Sequence, residues 1–123
     1  MAITRGTTPT LRTYISKAEV PSIGSISHVY MTFSQKGTQV AGLTRTLSPS
    51  DDEISDIGDY ILIAIQLTQT QTLALAADED LICVIDVTFV TQVTDGTHTE
   101  RKRATSKKYA VAVCDGELDE VLN

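Results

Sequence analysis

Two histidines, two cysteines and several runs of carboxylates are the side chains with the intrinsic capacity for metal or acid–base chemistry. A metal centre needs three or four such ligands converging on one point. His28 lies in an alternating apolar segment and His98 just past an Asp-Gly pair, and neither has a Cys or carboxylate at ligand spacing; both read as solvated polar residues. Serine and threonine are abundant, but no G-x-S-x-G elbow and no Gly-rich phosphate loop is present. Asp51, Asp52, Glu53 and Asp56 could attract calcium, yet they lack the D-x-D-x-D-G-x₅-E order and read as a solvated acidic loop. Asp86 sits amid apolar neighbours. Alternation sends it to the face of Val84 and Thr88, where a returning strand offers Arg103 and Thr105 as structural partners. The expectation is a protein that is not an enzyme, with no catalytic residues, no cofactor and no metal.

Charge is more informative. The chain of 123 residues carries a net charge of −6, which argues against nucleic acid as a partner. The charge is unevenly placed: acids gather at 51–59, 78–80 and 115–120, bases at Arg101, Lys102, Arg103, Lys107 and Lys108. The basic run reads either as a charged edge strand that discourages sheet pairing or as a contact patch for an acidic neighbour. The 115–120 tail of the next copy would serve as that neighbour, in a head-to-tail homo-oligomer. Base-stacking aromatics are absent from this run.

The elements that must position these residues are strands. Threonine, valine and isoleucine dominate and tryptophan is absent. One domain of this length buries roughly two-thirds of its unfolded surface. Residues 1–10 form a polar lead-in arm, with 11–123 a single β-sandwich domain. Leu11–Ile15 alternates as a first strand. In 25–34, Val29, Met31 and Phe33 face one way and His28, Tyr30 and Thr32 the other. Lys36-Gly37 turns into a weaker strand over 38–46, followed by a surface loop over 47–59. Tyr60–Ile65 is continuously apolar and reads as a central strand covered on both faces.

Thr68-Gln69-Thr70-Gln71 has the form of a capping box, opening one helical turn that ends near Ala76, with Leu73 plugged beneath the sheet. Residues 81–113 form a long hairpin about Asp95-Gly96. Pairing symmetric about that dipeptide sets Cys83 opposite Lys108. Cys114, six residues further on, is then about 20 Å away, beyond the roughly 7 Å reach of a disulfide. Free, buried thiols in a reducing compartment are expected. The same register leaves Tyr109, Val111 and Val113 on the face of Arg101 unless a bulge near Ser106-Lys107 intervenes. About seven strands with one short helical turn indicate an all-β, immunoglobulin-like antiparallel β-sandwich, with a small barrel as the alternative. Residues 1–10 have no apolar core of a signal peptide, and no stretch has the ~20 apolar residues that span a membrane. A soluble protein made in the cytoplasm is expected.

Four segments carry a resemblance: Arg5-Gly6-Thr7-Thr8-Pro9-Thr10-Leu11, Val29–Gln35, Leu67-Thr68-Gln69-Thr70-Gln71-Thr72-Leu73, and Leu118-Asp119-Glu120-Val121-Leu122. In that order the chain resembles small proteins of tailed phages and prophages of gut Firmicutes, with RGTTPT, LTQ-x-x-TL and DEVL motifs. It is similar more loosely, in architecture and setting, to the N-terminal β-sandwich of phage baseplate upper proteins. The acidic loop 47–59 is longer than in that pattern. The resemblance implies a virion-associated structural protein made in the bacterial host, acting through other phage structural proteins in tail, baseplate or capsid. Beside it, the extended, proline-containing arm suits strand addition to a neighbour's sheet edge. Arg5, Thr8, Pro9, Arg101, Lys102, Arg103, Lys107 and Lys108 are therefore the expected partner-binding residues. A host-surface glycan-binding module is the second expectation, with Tyr14, Tyr30, Tyr60 and Tyr109 as its available aromatics.

Overall fold

The computed structural model describes residues 2–94 and 98–116, which form a two-sheet sandwich. The chain runs β1 (Ala2–Thr4), β2 (Thr10–Ser16), β3 (Ile26–Gln35), β4 (Thr38–Gln39), β5 (Arg45–Leu47), β6 (Ile54–Asp56), β7 (Tyr60–Gln66), α1 (Gln69–Leu73), β8 (Leu81–Thr94) and β9 (His98–Cys114). One sheet has the order β1-β9-β8-β3-β4, with β5 also on β3; the other is β2-β7-β6. This is the immunoglobulin-like arrangement: β2, β7 and β6 make one sheet, and β3, β8 and β9 the other. The leading strand crosses over to pair in parallel with β9.

Period-two alternation builds the core. Val29, Met31 and Phe33 of β3 and Leu81, Cys83, Ile85, Val87 and Phe89 of β8 are buried. So are Leu11 and Ile15 of β2 and Ile61, Ile63 and Ile65 of β7, on the sheet opposite. The β3–β4 turn has a two-residue loop, Lys36-Gly37, with both φ angles positive (47° and 77°), as a type I′ hairpin requires.

Several expectations are corrected. The first ten residues are not a separate arm: Ile3 is fully buried and β1 pairs with Ala112–Cys114. The segment 38–46 is broken, because a 3-10 turn at Ala41–Leu43 drives Leu43 into the core. The loop 47–59 contains β6, an edge strand with one buried residue, Ile54. In β7 only one face is fully covered, while Leu62 and Ala64 are half-buried on the other.

The hairpin pairs Cys83 with Tyr109, not Lys108, and Thr94 with His98. That shift of one residue puts Tyr109, Val111 and Val113 on the core side with unbroken pairing and no bulge, since a one-residue slip exchanges the two faces of a strand. The Asp95-Gly96 turn itself lies outside the described residues. Cys83 is buried but Cys114 is exposed.

Candidate functional site

The first and third resemblance segments meet in space. Thr68 caps α1 through a full capping box: its side chain accepts from the Gln71 amide and the Gln71 side chain accepts from its own. The single turn then ends at Leu73, earlier than expected, and delivers Thr72 and Leu75 to the interior while Leu73 stays half-buried. Thr72 Oγ1 accepts from the Gly6 amide (3.1 Å) and donates to the Thr7 carbonyl (2.8 Å). Gln69 Nε2 donates to the Gly6 carbonyl and the Leu67 amide to the Pro9 carbonyl. The Thr8 carbonyl accepts from Gln66. Arg5 donates from Nη2 to the Leu73 carbonyl and from Nη1 to Asp115, both at 2.9 Å, while its Nε is buried without a partner. Arg5, Thr8 and Pro9 therefore sit in an intramolecular latch. It fixes β1 against β9, and Gly116 closes it: a Cβ there would lie 2.6 Å from the Arg5 carbonyl oxygen.

The basic strand divides. By register Lys102 and Lys108 lie on the outer face of the sheet, and Arg103 and Lys107 on the core side, Arg103 exposed and Lys107 half-buried. Lys107 reaches across to the Tyr14 carbonyl (2.8 Å) and Thr105 to Glu19 (3.2 Å). Arg103 donates to Thr91, so neither Arg103 nor Thr105 pairs with Asp86, whose cross-strand neighbours are Tyr30 and Ser106. Arg101 is a strand residue opposite Thr91. Because β1 covers only Ala112–Cys114, β9 is an edge strand over most of its length.

Beyond Phe89, the last β8 residue paired with β3, β8 and β9 continue as a two-stranded ribbon. At about 3.4 Å per residue, Val90–Thr94 and its partner run roughly 17 Å past the sheet. At the root of this ribbon is a groove of about 640 Å³ lined by Ser27, His28, Tyr30, Thr88, Phe89, Lys102, Arg103 and Ala104. A register shift between Ile26 and His28 opens it. The His28 and Tyr30 rings lie 5.7 Å apart along one wall. Periodicity placed both on the outer face, but the groove depends on where β3 stops, which no residue pattern announced.

The tyrosines do not form one cradle. Tyr14 and Tyr60 pack edge to face (6.3 Å, 84°) on the outer face of the smaller sheet, 48% and 47% exposed. Tyr30 belongs to the other sheet, and Tyr109 turns inward, where its hydroxyl meets Thr13 (3.2 Å) and Cys83. Burial pushes the Cys83 thiol up to about 11, and burial again pushes Tyr109 up to about 12. Three acids of 51–56 have separate partners: Asp51 accepts from the Ser48 amide, Glu53 pairs with Arg45, and Asp56 with Lys17. The Lys17 ammonium and the Gly58 amide hold the Asp56 carboxyl below its usual range. Among the described residues no three His, Cys, Asp or Glu side chains gather as a metal site requires. No helix among them is long and apolar enough to cross a membrane. The DEVL segment lies outside the described residues.

No protein-family model matches this chain, and neither a curated protein nor a solved structure matches it.

Proposed function

We propose that this immunoglobulin-like domain is a structural component of a tailed-phage particle, acting in tail, baseplate or capsid by protein–protein assembly. The observation that carries the reading is the β8–β9 ribbon, which projects beyond the sandwich with a cationic groove at its root and a largely unpaired edge along β9. A projecting strand pair presents backbone donors, acceptors and charge to a neighbour, the chemistry of docking. The latch adds support of another kind: RGTTPT and LTQ-x-x-TL are two halves of one joint, so the resemblance rests on parts that fold together. Light scattering of the purified chain at low and high salt tests the reading. Mass should grow with concentration and fall as salt screens the charged ribbon. A monomer under every condition counts against assembly between copies.

A glycan-binding module of a phage adhesion device is the second reading, favoured by the exposed Tyr14–Tyr60 pair. Specific signals on a glycan array that vanish in Tyr14→Ala and Tyr60→Ala would promote it above the first.

A further inference from the structure

We propose that the groove at the root of the β8–β9 ribbon receives the acidic segment 117–120 of a second copy, joining copies head to tail. The inference rests on the assembly reading above and names its partner. Lys102 supplies the cation on the outer-face wall, Ser27, His28 and Thr88 hydrogen-bonding groups, and Tyr30 a ring 41% exposed at the surface. Arg103 lines the root from the other face of β9, with its Nε on Thr91. The segment that follows Gly116 is Glu117-Leu118-Asp119-Glu120, three carboxylates around one leucine. Its charge complements the wall, and its leucine matches the apolar surface of Tyr30 and Ala104.

Two observations single out this occupant. Members of the other acidic clusters already have partners in their own chain: Glu53 with Arg45, Asp56 with Lys17, Glu79 with Lys36, and Asp51 with the Ser48 amide. The second observation is reach. Lys102 and Cys114 lie toward opposite ends of β9, a separation of about 40 Å at about 3.4 Å per residue. Gly116 is held beside Arg5 at the far end, and four residues beyond it extend at most about 14 Å. Residues 117–120 cannot meet the groove of their own chain; another copy's groove is the one open to them. Such a contact joins unlike surfaces, and repeats into a ring or a filament.

The test is native mass spectrometry of three chains: wild type, a groove variant (Lys102→Glu) and a tail variant (Glu117→Lys, Asp119→Lys and Glu120→Lys). Circular dichroism confirms that each folds. Wild type should form dimers and longer species, and each variant alone should associate roughly tenfold more weakly or worse, because attraction between Lys102 and the tail carboxylates becomes repulsion. A mixture of the variants keeps one intact groove and one intact tail, and its reversed groove and reversed tail are again opposite in charge, so it should recover the association that each variant alone has lost. A groove or tail variant that associates like wild type, or a mixture that forms no dimer, overturns the inference. A monomeric wild type overturns it too, while presence of the chain in purified particles decides the virion reading independently.

Discussion

Replacing Thr72 by valine tests the latch at its centre. Thr72 is fully buried, and its hydroxyl serves the Gly6 amide and the Thr7 carbonyl at once. Valine keeps the shape but offers no hydrogen bond, so both backbone groups lose their partner. Gly6 is itself buried, and its orphaned N–H carries the full desolvation cost; Thr7 is exposed, so water recovers much of the carbonyl's loss. One buried donor and part of an acceptor come to about 2–3 kcal/mol. A domain of this size moves its melting midpoint by roughly 3–5 °C per kcal/mol, which gives a fall of roughly 6–15 °C by calorimetry. Hydrogen exchange adds a local signature. The Arg5 amide, which donates to the Cys114 carbonyl, should lose protection well beyond any change in the β3–β8 ladder. A midpoint within about 1 °C of wild type, with Arg5 still protected, would refute the reasoning that the hydroxyl holds β1 in place.

Two further predictions follow from the same geometry. Gly116→Ala places a Cβ 2.6 Å from the Arg5 carbonyl; a destabilisation of about 1–3 kcal/mol is expected by denaturant titration, and none would mean the latch has slack. Alkaline stability should reflect the buried Cys83–Tyr109 pair. Both folded values are raised, from 9.0 to about 11 and from 10.0 to about 12. Their stabilising contribution is thus complete below pH 9.0 and is lost as pH climbs through about 12. Cys83→Ala with Tyr109→Phe should flatten that decline in chemical denaturation curves measured across this range, and an unchanged slope would contradict it.

Much of the sandwich was legible where a strand had several alternating positions to declare its faces, as in β2 and β3. The capping box at Thr68 was equally explicit, because it is written in four consecutive residues. Features set by a single residue or by distant pairing were not. β6 shows one buried side chain in three and carries no period. The hairpin register hung on which residue lay at its centre, and assuming a two-residue turn displaced every partner by one and called for a bulge that does not exist. The latch was invisible because its bonds run chiefly to backbone atoms more than sixty positions away. One buried polar residue, Thr72, was its available clue, and a second, Gln35, marks a separate tie. Gln35 continues the inward series of Val29, Met31 and Phe33, and its side chain bonds the Ala76 amide and carbonyl, tying β3 to the segment after α1.

The central claim, that this chain is a building block of a phage particle, is tested most directly by quantitative mass spectrometry of purified particles from cells that produce it. The account predicts peptides of this chain at a fixed, multi-copy ratio to the other particle proteins, retained through density-gradient purification. Particles that are complete and infectious yet contain none of it would contradict the account.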